Sequence, residues 1–254
     1  MRGRLGVAAI DTGSGRRLEY RSGERFPMCS TFKVLLAGAV LQRVDRGEER
    51  LGRRIAFTPE DVLDHAPVVR AHAGEGALPV EAHCAASIEV SDNSAANLLL
   101  NALGGPPALT DFARSLDDRV TRLDRTEPEL NTALPGDPRD TTSPAAMVDD
   151  LRRLLLAGRL SPGSARRLER WMTASVTGSK RLRAGMPGSW SIADKTGTGA
   201  RGTSNDVALL RPPGRAPIAV AVYLTGSDAP ADDRDAVIAE VGRIIVEVFT
   251  SEQR

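Results

Sequence analysis

The fold is decided by a short stretch near the start of the chain, LGVAAIDTGSGRRLEY at residues 5–20. Two runs of strand-forming residues, 5–10 and 18–20, flank the glycine-rich segment 11–15, and this pattern is typical of a β-hairpin. An isolated two-stranded hairpin is at best marginally stable in water, so this hairpin must join further strands. The chain has 254 residues, enough for one large domain or two interlocked ones.

The missing partners are at the other end of the chain. Apolar patterns predict three strands and then a long amphipathic helix, at residues 190–194, 206–210, 218–224 and 232–249. The sequence between the two groups has helical spacing at residues 31–45, 80–88, 94–103, 109–116, 144–156 and 165–172. We therefore predict an α/β fold with one five-stranded antiparallel sheet flanked by helices and an inserted all-helical lobe. The expected division is an α/β domain from residues 1–22 and 173–254 and an all-α domain from residues 23–172, with the active site in the cleft between them.

Composition excludes several classes of function. The net charge is +1, so no strong field draws the protein to nucleic acid or to anionic lipid. The longest apolar run, around residues 34–40, is far shorter than the ~20 residues of a membrane helix. The three histidines lack metal-ligand spacing, and Cys29 and Cys84 are predicted to be buried free thiols. The opening run at residues 5–10 is too short for a signal peptide and lacks the pattern of a cleavage site.

Four polar motifs carry the chemistry. In chain order they are Ser30-Thr31-Phe32-Lys33, Ser91-Asp92-Asn93, Glu127-Pro128-Glu129-Leu130-Asn131 and Lys195-Thr196-Gly197-Thr198-Gly199. By composition, the first, second and fourth motifs are expected together in this order in roughly one of ten thousand such chains. Only three of the 34 basic residues are lysines, and two of those three lie in the motifs. The third motif lies in a polar loop, residues 122–142, and a structureless run of that length inside a domain is often functional.

These residue types in this order point to acyl transfer. Ser30, at the start of a helix, is the candidate nucleophile, and Lys33 follows on the same helical face as a candidate base. Ser91 can relay a proton to a leaving nitrogen, and Lys195 and Thr196 can bind a carboxylate. The backbone N–H groups of Ser30 and Thr198 could form an oxyanion hole.

With these motifs the sequence resembles the class A serine β-lactamases, of an actinobacterial-like type, over about residues 5–249. The resemblance implies that Glu127 activates the water that hydrolyses an acyl-enzyme and that Asn131 helps to hold this water. It also implies that Arg125 pairs with Asp140 across the neck of the loop and that Glu127-Pro128 is a cis peptide.

The resemblance further implies how a substrate is bound. Asn93 would contact the side-chain amide of a β-lactam, and Gly197 belongs to the substrate-binding strand. Many family members bind the carboxylate with an arginine where this chain has Ser204, and Arg181 matches the alternative position used by other members. The implied partner is a small-molecule β-lactam, with no metal or other cofactor, and the implied enzyme is a monomer that is secreted or periplasmic.

Three functions share this machinery: a β-lactam hydrolase, a D,D-peptidase, and a penicillin-binding sensor that remains acylated. The loop residue Glu127 favours the hydrolase, because an ester intermediate persists unless water is activated beside it. The sequence leaves open whether Lys33 or Glu127 is the base of the acylation step.

Overall fold

The computed structural model describes residues 3–251 and confirms the predicted α/β fold. Its strands are β1 (Arg4–Asp11), β2 (Arg17–Tyr20), β3 (Phe26–Pro27), β4 (Arg54–Ala56), β5 (Ala77–Pro79), β6 (Thr141–Thr142), β7 (Ser191–Gly199), β8 (Thr203–Arg211) and β9 (Ile218–Thr225). Its helices are α1 (Phe32–Asp45), α2 (Pro67–Ala71), α3 (Val80–Glu89), α4 (Asn93–Leu103), α5 (Pro106–Ser115), α6 (Pro144–Leu155), α7 (Pro162–Thr173) and α8 (Ala231–Thr250).

The hairpin and the three late strands form one sheet, as the sequence predicts. The strand order is β2-β1-β9-β8-β7, and each neighbouring pair is antiparallel. The strand β7 therefore lies at one edge of the sheet, and it runs on to Gly199, five residues beyond the predicted end at residue 194. Its last residues are paired with the start of β8, Thr198 with Ser204 and Gly199 with Thr203.

The two faces of the sheet are covered differently. On one face, Val220 and Val222 pack with Ile238 and Ile245 of α8. On the other face, Val207 and Tyr223 belong to a larger core that continues through α1, α4, α6 and α7. The burial of these apolar side chains is the dominant favourable contribution to folding. The 3-10 turn that precedes α1, Cys29–Thr31, lies against β7.

Several smaller expectations are also settled. Cys29 and Cys84 are buried free thiols, as predicted. Within residues 3–251, no helix is long and apolar enough to cross a bilayer. The division of the chain into two domains stays a prediction, and its outermost residues, 1–2 and 252–254, lie outside the described part of the chain.

Candidate active site

The candidate nucleophile lies where α1 meets the edge strand. Ser30 belongs to a single 3-10 turn, Cys29–Thr31, that leads directly into α1. Gly197 of β7 packs so closely on this turn that an added Cβ would be 2.8 Å from the carbonyl oxygen of Met28. The side-chain amide of Asn205, on β8, donates to the carbonyl oxygens of Pro27 and Met28, at 2.9 and 3.1 Å. The segment before Ser30 is thus fixed to the sheet.

Glu127 is brought directly to Ser30. The Ser30 hydroxyl donates to Glu127 Oε1 at 3.0 Å, and Asn131 Nδ2 donates to Glu127 Oε2 at 2.5 Å. The Glu127-Pro128 peptide is cis, as expected. The side chain of Asn97, on α4, makes two hydrogen bonds to the backbone of Glu127. Its Nδ2 donates to the Glu127 carbonyl oxygen at 2.8 Å, and its Oδ1 accepts from the Glu127 N–H at 3.0 Å.

The neck of the loop is closed by a buried ion pair, as expected. Arg125 Nε is 2.6 Å from Asp140 Oδ2, and Asp140 Oδ1 accepts from the backbone N–H groups of Asp124 and Arg125. At the far side of the loop, the N–H of Ala200 donates to the carbonyl oxygen of Asn131 at 2.9 Å. The loop is therefore fixed both at its neck and to the β7–β8 turn.

Lys33 is fully buried and lies at the centre of the cluster. Its Nζ donates to the Ser91 carbonyl oxygen at 2.8 Å and to Asn93 Oδ1 at 2.6 Å. It is also 3.3 Å from Ser91 Oγ and 3.1 Å from Glu127 Oε1. Ser91 has a positive φ of 59°, a conformation that is uncommon outside glycine and is found at functional sites.

Lys195 reaches the same serine from the strand. Its Nζ donates to Ser91 Oγ at 2.9 Å and to the Thr196 carbonyl oxygen at 2.7 Å. Arg181 is also nearly buried, at 7 % exposure, and is not a solvated surface residue. It donates to the Gly197 carbonyl oxygen at 2.9 Å and to Thr198 Oγ1 at 2.8 Å, and it pairs with Asp235 at 2.7 Å. The structure thus brings the candidate site residues together in two hydrogen-bonded groups, one around Lys33 and one around Arg181, which adjoin along β7.

Burial and charge shift the acid–base groups of the site. Burial lowers the pKa of Lys33, although the Glu127 carboxylate partly opposes the shift. Burial and the charge of Lys33 hold the pKa of Lys195 well below its usual value. Burial by itself would raise the pKa of Glu127, but the charge of Lys33 and hydrogen bonds from Asn131, Lys33 and Ser30 outweigh it, so the pKa is lowered. Glu127 is therefore an ionised proton acceptor at neutral pH.

Sequence reasoning missed two residues that position the site. It did not foresee that Asn97 holds the backbone of Glu127, and it did not consider Asn205. Both could have been noticed from composition, since the chain has only five asparagines. Their partners, however, are 30 and 177–178 residues away in sequence.

Comparisons with known proteins agree with this geometry. A family model described as the β-lactamase enzyme family matches residues 1–249. An ancestral class A β-lactamase (GNCA) is 63 % identical, with 97 % of this chain and 95 % of that chain covered and a TM-score of 0.96. A putative class A β-lactamase, PenP from Rhodopseudomonas palustris, is 54 % identical, with 97 % and 94 % covered and a TM-score of 0.95. The actinobacterial-like subtype stays a prediction.

Proposed function

This chain belongs to the class A β-lactamases and hydrolyses β-lactams through an acyl-serine intermediate, and from that premise we propose which residues carry each step. Ser30 is the nucleophile. Its Oγ attacks the lactam carbonyl carbon, and the backbone N–H groups of Ser30 and Thr198 bind the developing oxyanion. The observation that carries the proposal is the 3.0 Å hydrogen bond from the Ser30 hydroxyl to Glu127 Oε1.

Glu127 accepts the proton of Ser30 in the acylation step. An ammonium group has three protons, and Lys33 Nζ has four oxygen neighbours within 3.3 Å, at Ser91, Asn93 and Glu127. These contacts fit the charged, donating form of Lys33, since the Glu127 carboxylate opposes the lowering of its pKa by burial, and the lowered pKa of Glu127 keeps its carboxylate ready to accept. The positive charge of Lys33 then stabilises the arrangement while the Oγ–C bond forms.

Ser91 protonates the leaving nitrogen when the lactam C–N bond breaks. Its oxygen has Lys195 Nζ at 2.9 Å and Lys33 Nζ at 3.3 Å, and both amino groups donate to it. The proton of Ser91 is therefore free to be donated to the nitrogen, and Lys33 replaces it. Lys33 then recovers a proton from the protonated Glu127, 3.1 Å away, which returns Glu127 to its carboxylate form before water attacks.

Glu127 and Asn131 activate the water that hydrolyses the ester. The Nδ2 group of Asn131 is bound to Glu127, while its buried Oδ1 has no hydrogen-bond partner among residues 3–251. A water bonded to this Oδ1 and to the Glu127 carboxylate would lie beside Ser30. Glu127 takes one proton from it as the oxygen attacks, and Ser30 leaves with that proton as an alcohol.

The substrate is bound along β7. Lys195, Thr196, Thr198 and Arg181 bind its carboxylate, and Gly197 leaves room for the close approach of the strand to the nucleophile. Asn93 Oδ1 accepts from Lys33, so its Nδ2 is left to donate to the side-chain amide.

The enzyme acts as a monomer in this proposal, because the cleft is built from one chain, between the helical part 23–172 and the sheet-bearing parts 1–22 and 173–254. We place it outside the cytoplasm, in the periplasm or secreted, by its resemblance to the family.

The substitution Glu127→Gln tests the proposal. It removes the base for deacylation, whereas the loss of its negative charge lowers the pKa of Lys33 further and allows neutral Lys33 to accept the proton of Ser30. We expect one penicillin bound per chain by intact-protein mass spectrometry, and a kcat lower by about 10²–10⁴.

The matched control is Glu129→Gln, which changes an exposed glutamate two residues away in the same loop and should turn over normally. Ser30→Ala should show no adduct. Rapid turnover by Glu127→Gln, or an adduct on Ser30→Ala, would disprove the assignment.

A further inference from the structure

Two threonines of β7 each make a hydrogen bond to a side chain from outside the strand. Thr196 and Thr198 are two residues apart, so they lie on the same face of the strand. The hydroxyl oxygen of Thr198 accepts from Arg181 at 2.8 Å. The hydroxyl of Thr196 is 2.6 Å from the hydroxyl of Thr177, a residue that none of the motifs contains.

Thr177 is held in place from both sides. It lies in the segment between α7 and the 3-10 turn Leu182–Gly185. The preceding residue, Val176, donates its N–H to the carbonyl oxygen of Glu89, two residues before Ser91, at 3.0 Å. The following residue, Gly178, packs on Asp194 so tightly that an added Cβ would be 1.8 Å from Asp194 Oδ2. The segment therefore bridges the loop that carries Ser91 and the strand that carries Lys195.

A third hydroxyl extends the contact. Ser175 Oγ is 3.2 Å from Thr177 Oγ1, so Ser175, Thr177 and Thr196 form a row of three hydroxyl groups. Ser175 and Thr196 are almost fully buried. Each hydroxyl has one proton to donate and can also accept from its neighbour. All the hydrogen bonds along such a row can therefore point the same way, with each hydroxyl donating to the next.

The chemistry of the ligand determines that direction. An ionised carboxylate only accepts hydrogen bonds. Thr196 can give its single proton to a carboxylate only if Thr177 is the donor in their shared bond, and Ser175 can in turn donate to Thr177. Arg181 plays the same part for Thr198, because a guanidinium has no acceptor and always leaves the proton of Thr198 free.

We propose that Thr177 is a positioning residue for substrate binding: its hydroxyl orients the proton of Thr196 toward the carboxylate of the β-lactam. This inference rests on the proposed assignment of Lys195, Thr196, Thr198 and Arg181 as the carboxylate site. The row of hydroxyls makes the site selective for an anionic group over an uncharged ester, which has no full negative charge to attract the proton.

The test compares a penicillin with its carboxyl methyl ester in steady-state hydrolysis. Thr177→Val keeps the shape of the side chain and removes the hydroxyl, and we expect KM for the free acid to rise about fivefold, with kcat within about twofold of the unsubstituted enzyme. KM for the ester should not change. Thr177→Ser should restore the original KM, and Ser175→Ala, which removes the outer hydroxyl, should raise it only about twofold.

The neighbour Val176, which is 69 % exposed, supplies the control Val176→Ala. If the unsubstituted enzyme has a lower KM for the acid than for the ester and Thr177→Val leaves the KM for the acid unchanged, the role of Thr177 is refuted. The carboxylate site itself would stand. A loss of kcat instead of a rise in KM, with no restoration by Thr177→Ser, would also refute the role of Thr177. Equal KM values for acid and ester in the unsubstituted enzyme would refute the carboxylate site itself, and with it the inference.

Discussion

The neck of the loop that carries Glu127 and Asn131 provides the most demanding test of the structure. Asp140 is completely buried, and its carboxylate accepts three hydrogen bonds, from the N–H groups of Asp124 and Arg125 and from Arg125 Nε. Its φ is +57°, a conformation that asparagine also tolerates, so Asp140→Asn leaves the backbone in place. The substitution removes the charge and turns an amide toward the guanidinium of Arg125.

The expected cost follows from the burial of both partners. Removing one charged partner of a buried ion pair lowers the free energy of unfolding by about 3–5 kcal/mol. The lower end applies to this pair because the Arg125 side chain keeps 20 % exposure. About 3 kcal/mol in a chain of this size corresponds to a melting temperature lower by about 6–12 °C. Turnover should fall as well, because the loop positions Glu127 and Asn131.

Calorimetry at pH 7 measures the shift. Asp117→Asn is the matched control, since Asp117 also has a positive φ, 62°, and pairs with Arg159 at exposed side chains, 68 % and 43 %, away from the loop. This control should leave the melting temperature nearly unchanged. If Asp140→Asn melts within about 2 °C of the unsubstituted protein, the ion pair at the neck does not stabilise the loop.

Two further predictions concern packing and buried charge. Gly178→Ala places a Cβ 1.8 Å from Asp194 Oδ2, so it should destabilise the protein by at least about 2 kcal/mol and reduce kcat/KM. The control is Gly188→Ala, whose added Cβ has no atom within 4 Å and which should change neither quantity. Burial and a neighbouring carboxylate raise the pKa of Asp150 in the folded state well above its usual value. The contribution of Asp150 to the free energy of unfolding is therefore complete below about pH 4 and decreases as the pH rises. The melting temperature of Asp150→Asn relative to the unsubstituted protein should therefore increase from pH 4 to pH 8, and a difference that stays constant with pH would contradict the pKa shift.

The sequence predicted the elements that bury apolar side chains at regular spacing. The hairpin, the three late strands and the six longest inner helices are found within a few residues of the expected bounds. It missed the short helix α2 and the small pairs β3–β6 and β4–β5, because two to five residues are too few for a period to be seen.

The end of β7 shows a different reason for error. The residues from Lys195 to Gly199 contain no large apolar side chain, so no alternation marks them as a strand. They are extended because β8 pairs with them, residue by residue, from the other side of a turn. The pairing with β8 therefore makes residues 195–199 a strand, although their own sequence has only a weak preference for one.

The motifs predict the reacting residues but not what holds them. Ser30, Lys33 and Glu127 could be found because acyl transfer needs those residue types in a recognisable order. Asn97 and Thr177 act through contacts with residues 30 and 19 positions away, and such pairs have no fixed spacing. Their roles become visible only when the fold brings the two segments together.

The presence of lysine at two motif positions, in a chain whose other basic residues are almost all arginines, has a physical explanation. Lys180 is exposed and paired with Asp232, a place that an arginine could also occupy. Lys33 and Lys195 are completely buried, and burial lowers the pKa of each, so both can change protonation state. Arginine keeps its proton under all such conditions and could not pass one to Ser91 and recover it. An anionic substrate adds a negative charge beside Lys195, which raises the pKa of Lys195 and favours the donating form that the departing nitrogen requires.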